Sequence, residues 1–378
     1  MKYSTSILLL NFILSFFGKS YAQKNDYKVV PSNYSKLVMV STKERDSIKK
    51  TLKNPFYIEK ILPKGYTKNG TKNYTDVIQK ALDANRNVIF PDFPLLISPK
   101  GLTVKSNSNL FFEKNSQLIL QANSLREYEV LRIHDVSNVN VFFANIKGDR
   151  FSHTDQGGEW GMGISIRGTE NILLYAPKVT ECWGDGIYIG VAPATWSMKN
   201  NNITILKAFI DQSRRNGMSI ITAQNSKFKN ILTSNAYGTN PMAGIDVEPD
   251  QNTNIIKNLD FDNIVAYNNK NTGFIFSLGN LYGKDNNIGK LNLNNFTCVY
   301  SNYGIGFLIG QEKKFAQVAT GSVNIFEPKF EYISQEYSTD DKLSNNYSIT
   351  VNIKSKRNEN LNKYRNFLKN SKNINFTQ

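Results

Sequence analysis

Little in this sequence spans, staples or chelates. Beyond an opening apolar run, Ile7 to Phe17, no segment approaches the ~20 consecutive apolar residues that a membrane-spanning helix requires. That run follows Lys2 and leads to Ser20-Tyr21-Ala22, the pattern of a secretory leader cleaved near Ala22. The expected mature protein is secreted or periplasmic, with retention of the run as an anchor the alternative. Only 2 cysteines and 2 histidines occur, and the acids near His153 have neither zinc-ligand nor EF-hand spacing, so no metal site is expected. Helix-turn-helix, zinc-finger and RNA-binding signatures are missing too. Nucleic acid is therefore not the expected partner, despite 46 Lys and Arg against 31 Asp and Glu, a formal charge of +15. Those cations are scattered, which reads either as solubility or as attraction to an acidic glycan.

What the chain does have is a repeat. "GISIR" at Gly163, "GIYIG" at Gly186, "GMSII" at Gly217, "GIDVE" at Gly244, "GFIFS" at Gly273 and "GIGFL" at Gly304 recur at spacings of 23 to 31 residues. A second short alternating strand precedes most of them, as in "NILLY" at Asn171 and "NITIL" at Asn202, with Asn, Gly and Ser turns between. Short strands at this period predict an all-β parallel solenoid, one coil per repeat, each stacked ~4.8 Å above the last. Alternation places Ile164, Ile187, Met218, Ile245, Phe274 and Ile305 in one interior column, with Ile166, Ile189, Ile220, Val247, Phe276 and Phe307 in another. Ser165, Tyr188, Ser219, Asp246, Ile275 and Gly306 form the exterior column.

Upstream, "NYTDVIQKALDA" predicts a helix with Asn73 as N-cap and Val77, Ile78, Ala81 and Leu82 on one face, suited to capping the solenoid's open end. The expected organisation is a leader over 1–22, an extension over 23–64, the β-helix over 65–330, and a last strand with a polar Lys/Asn-rich tail over 331–378. Cys182 and Cys298 precede strands four coils apart, roughly 19 Å, so two free, buried thiols are expected.

The helix followed by "VIFPDFPLLI" resembles the opening of pectin-lyase-like right-handed parallel β-helix proteins. "GEWGMGISIRG", "CWGDGIYIG", "SRRNGMSII" and "AGIDVEPD" are similar to stretches of polysaccharide-degrading β-helix proteins of bacteria and phage tail spikes. The resemblance covers roughly residues 65–330 and implies a right-handed β-helix, as a monomer or homotrimer, acting on or binding a glycan. Hydrolases, lyases, epimerases and inert adhesins share that fold.

Within "AGIDVEPD", Asp246 and Glu248 are two apart on a strand and so share a face, expected to be solvent-facing. Two carboxylates are what glycoside hydrolysis needs: a protonated acid at the leaving oxygen and a base or nucleophile. Asp185 lies two coils before Asp246 and is the third candidate, although Gly-Asp-Gly also makes a good turn by itself. Tyr188 and Trp183 offer rings for sugar stacking, with Trp183 as core packing the alternative. Arg214, Arg215 and, more weakly, Arg167 offer forks for an acidic substituent, or else ion pairs with those acids. The polar loop "GDRFSHTDQGGEWG" adds His153, Glu159 and Trp160 as binding candidates, His153 also as a base. The leading expectation is an exported glycoside hydrolase acting on an acidic glycan, without cofactor. The rivals are β-elimination on uronic acid, with Ca²⁺ as the cofactor such a lyase would use, and a non-catalytic glycan-binding solenoid.

Overall fold

Alternating side chains and left-handed turn residues wind this chain into a coil. The computed structural model describes residues 27–283, 286–310, 319–339, 348–355 and 374–377. The leader expected over 1–22 and most of the Lys/Asn-rich tail lie outside them. One parallel sheet of nine strands carries the repeat: β1 (Leu102–Thr103), β2 (Glu127–His134), β3 (Trp160–Arg167), β4 (Ile187–Gly190), β5 (Met218–Ile220), β6 (Ala243–Val247), β7 (Thr272–Phe276), β8 (Tyr303–Phe307) and β9 (Gln335–Thr339). A second parallel sheet, 18-stranded, closes the rest of each coil.

The expected columns are present residue by residue. Ile164 registers with Ile187, Ile187 with Met218, Met218 with Ile245, Ile245 with Phe274 and Phe274 with Ile305. All six are fully buried and belong to one continuous core. Outside, Ser165, Tyr188, Ser219, Asp246, Ile275 and Gly306 stack in the same order. The corners explain the chain's wealth of Asn. Asn138, Asn171 and Asn202 adopt positive φ, which Asn tolerates, and each donates its side-chain amide to the Asn one coil below. Cys182 and Cys298 are free and buried, as expected.

The capping helix is α2 (Thr75–Ala84), following α1 (Thr42–Thr51). Its N-cap is Tyr74 rather than Asn73, but the Asn73 side chain still accepts the Thr75 N–H at 2.9 Å. Ile78, Ala81 and Leu82 are buried while Val77 is half-buried. Gln79 bonds both the N–H and the C=O of Thr103, at 2.8 and 3.0 Å, so a side-chain amide supplies what a preceding coil would have given the edge strand β1.

The segment before α2 is a strap laid along the coils. Tyr34 donates to Glu331, Glu44 pairs with Lys207 at 2.7 Å, the Arg45 guanidinium sits 4.0 Å from the Phe143 ring, and Phe56 pairs with Val88. Past residue 330, pairing continues through β9 and Ser348–Lys354, the last strand expected in "YSITVNIKSK", and on to Ile374–Thr377. No helix among the described residues is long and apolar enough to cross a membrane.

Candidate functional site

Four consecutive coils, β3 to β6, assemble an acid cluster on the outer face of the nine-stranded sheet. Asp185 enters β4 between Gly184 and Gly186, which do not take positive φ. They are Gly because space is missing: a Cβ on Gly184 would lie 2.2 Å from the Glu159 carbonyl oxygen, and one on Gly186 2.3 Å from the Ile210 side chain. Nor does Asp185 cap its own turn. Its Oδ1 accepts the backbone N–H of Asn216, one coil up, at 2.9 Å, and its Oδ2 accepts Arg215 Nη1 at 3.0 Å.

Arg215 is the hub. Besides Asp185, Nη1 reaches Ser219 Oγ at 3.2 Å, Nη2 lies 2.8 Å from Glu248 Oε1, and Nε lies 3.6 Å from Glu159 Oε2. Burial works against its guanidinium, yet the charges of Asp185 and Glu248 outweigh that and hold its pKa above the ordinary arginine value.

Asp246 points out of the coil as expected, between Ser219 and Ile275 in register, but it is not solvent-facing: it is 1% exposed. Strand alternation sets which way a side chain leaves the sheet and says nothing of what lies over it. The Oδ1 of Asp246 has no hydrogen-bond partner among the described residues. Burial, followed by the charge of Glu248, pushes its pKa well above the usual carboxylate value. Burial raises Glu248 as well, with Arg215 opposing, and raises Asp185 against the same arginine. The arginine fork thus serves Asp185 and Glu248, while Asp246 is the carboxyl most disposed to keep its proton.

The other expected site residues divide. Glu159 stands at the rim, its side chain 47% exposed, beside the exposed Trp160. Tyr188 lies in the outer column two coils below Asp246, with the Arg167 guanidinium 4.5 Å from its ring. Arg167 itself is taken by Glu129 at 2.8 Å and Ser165 at 2.8 Å. Arg214 is turned away from the acids: it lies 3.9 Å from the Trp183 ring and donates to the carbonyls of Gly158 at 2.7 Å and Gln156 at 3.3 Å. Trp183 takes its packing alternative, 6% exposed, with its indole N–H on the Gly157 carbonyl. His153 stacks on Trp183 at 4.1 Å and meets Asp149 through Nδ1 at 2.8 Å, with no exposed side-chain surface. His153, Trp183 and Arg214 therefore fasten the loop that carries Glu159, with the His153 side chain fully enclosed and Trp183 nearly so.

That fastening has a measurable consequence. A hydrogen bond from a charged donor is worth about 1.5–3 kcal/mol. Arg214→Ala is expected to raise amide exchange across residues 155–160 by about tenfold to a hundredfold while the coils keep their protection. Unchanged exchange in the loop would remove Arg214 as its anchor.

Sequence reasoning missed a neighbouring constellation: Glu129, His134 and Ser165, with Nε2 of His134 3.0 Å from Ser165 Oγ. Glu129 bonds that same hydroxyl at 2.9 Å and lies 3.6 Å from the same ring nitrogen, so the acid does not orient the far side of the imidazole as a nucleophile–base–acid relay would. The available signal was "VLRIH", whose Leu131 and Ile133 register with Ile164 and Ile166 but which lacks the leading Gly of the other repeats. Also missed was Trp196, 75% exposed on the loop after β4.

No family model matches the sequence. Two curated relatives come from Bacillus subtilis (strain 168): the SPbeta prophage-derived uncharacterized protein YorA, 26% identical over 162 residues, and the uncharacterized protein YclG, 24% identical over 220 residues. These matches cover 39% and 54% of this chain but only 28% and 37% of the relatives' own lengths. Among solved structures, the Azotobacter vinelandii mannuronan C-5 epimerase AlgE4 A-module superposes with a TM-score of 0.50 at 16% identity, over 79% of this chain and 86% of that one. With the coil register and the capping helix, this likeness makes the chain a right-handed parallel β-helix.

Proposed function

We propose that this protein hydrolyses glycosidic bonds in a polysaccharide, with Asp246 as general acid and Glu248 or Asp185 as the partner carboxylate. The observation that carries the proposal is the unequal treatment of neighbouring acids. Asp246 is buried and the most disposed to hold a proton, whereas Asp185 and Glu248, although burial raises them too, share a guanidinium that opposes that shift. Environments that push two carboxyl groups apart in pKa set up acid and base roles. The proton on Asp246 goes to the leaving oxygen; the ionised partner either attacks the sugar carbon or takes a proton from the attacking water. The exposed rings of Trp160 and Trp196 offer apolar faces to sugars. The solved epimerase module of the same fold is named for its action on mannuronan, which supports a glycan substrate for this chain, and the leader pattern supports export.

Elimination on a uronic acid needs a cation to neutralise the substrate carboxylate, and Arg215, the one arginine in the cluster, is already held by three acids. Mass and ultraviolet analysis of products from a polysaccharide panel tests the reading. Hydrolysis adds one water per bond cut, shared between the two new ends, and gives products without ultraviolet absorbance. An unsaturated, absorbing sugar end would replace hydrolysis with elimination, and binding without products would leave an adhesin.

A further inference from the structure

The chain as a whole is strongly cationic, yet its candidate site is not. The acid cluster sets one cation, Arg215, against Glu159, Asp185, Asp246 and Glu248. Two of its nitrogens meet acids at close range, Nη1 with Asp185 at 3.0 Å and Nη2 with Glu248 at 2.8 Å, while Nε is 3.6 Å from Glu159 and makes no hydrogen bond among the described residues. The neighbouring arginines on this face already have partners, acids or carbonyls. Arg167 is closed by Glu129, Ser165 and the Val191 carbonyl, and Arg132 by Thr103 and the carbonyls of Lys100 and Glu129. Arg214 holds the loop. His134, beside Arg167, is kept neutral, because burial lowers its pKa to about 4.

A carboxylate or sulfate on the bound sugar would therefore find no arginine whose charge is free of an acid or carbonyl already beside it, the buried Nε of Arg215 included. It would have to displace Glu248 or Asp185 from Arg215, leaving a buried carboxylate unpaired, or sit as a like charge beside Asp185, Glu248 and Glu159. The unpartnered Oδ1 of Asp246 asks instead for a hydroxyl or a glycosidic oxygen. The formal +15 does not relieve this, since scattered exposed cations are screened within a Debye length of about 8–10 Å.

We infer that the sugar units seated at the Asp246–Glu248 cluster carry no negative charge, so that the bond cut lies between uncharged sugars. This rests on the hydrolytic reading above and narrows its substrate class. It also reverses the expectation drawn from net charge, because a site's local balance of charge and not the chain's total decides what it admits.

The test uses the full chain on neutral polymers (galactan, mannan, xylan, β-glucan) and on acidic ones (polygalacturonate, alginate, chondroitin sulfate), with mass analysis of the sugars on either side of each cut. Cuts flanked by uncharged sugars, with acidic polymers cleaved at least about tenfold more slowly, are expected. Hydrolytic cutting between uronate or sulfated units would overturn the inference and leave hydrolysis standing. Elimination products, or no cleavage of any polymer, would remove the proposed function and this inference with it. A second measurement uses the exposed rim acid: Glu159→Lys should shift the ratio of acidic to neutral polymer cleavage upward several-fold. A ratio that falls would contradict an electrostatic barrier.

Discussion

Asp246→Asn and Glu248→Gln will each lower kcat by about 10²–10⁴ on a cleaved polysaccharide, the contribution typical of acid–base assistance, and neither variant will unfold. The stability half of that expectation follows from burial. Asp246 is 1% exposed and its pKa is pushed up by desolvation, so Asn reproduces the neutral form it already favours. Glu248→Gln removes one partner of Arg215, but Asp185 and Glu159 remain. Ile245→Asn, one position away and facing the core, should fail in the opposite manner, because it buries an unpaired amide among Met218 and Phe274 and unfolds or aggregates the chain. Activity in the wild type should fall as pH rises through the raised pKa of Asp246, since the ionised form cannot protonate a leaving oxygen. Calorimetry, kcat and a pH–rate profile check all three points. Near-full activity in both Asp246→Asn and Glu248→Gln would end the carboxylate mechanism.

How much of this could be read from sequence depends on the distance over which each feature is determined. The columns were legible because strand alternation and a fixed period are local rules: once "GISIR" and "GIDVE" are aligned, Ile164 and Ile245 cannot face different ways. The free thiols followed from the same stacking. The burial of Asp246 was not legible, because alternation fixes a direction and not what surrounds the group once it leaves the sheet. Adjacent Arg214 and Arg215 looked interchangeable, yet one holds a loop through Trp183 and the other gathers acids from three coils. Only the turn geometry before β5 separates them. Gly184 and Gly186 looked like turn glycines, and only the coil stacked against them shows that contact and not φ selects them. His134 was overlooked because its repeat has Val130 where the others have Gly, a deviation in the turn that leaves the strand register intact.

Arg215→Met should cost about 3–5 kcal/mol at neutral pH, the usual penalty for removing one partner of a buried ion pair and leaving the other charge uncompensated. Here the charges left behind belong to Asp185 and Glu248, whose side chains are 0% and 17% exposed. The pH dependence is the sharper test. Asp185, Asp246 and Glu248 all have folded-state pKa values raised above their ordinary ones by burial. Groups shifted in that direction bind protons more tightly when folded. The stability they confer is fully present below the unfolded pKa and is lost as pH rises through the folded one. Arg215 opposes the shift in each of the three, so without it the folded values climb further and the loss over that window deepens. The variant should therefore lie closest to wild type near pH 4, where its carboxyls can be neutral, and furthest from it near pH 8. Denaturant melts of both proteins at the two pH values measure the difference. A deficit equal at both, or larger in acid, would mean that Arg215 acts through packing of its stem and not through the charges it gathers.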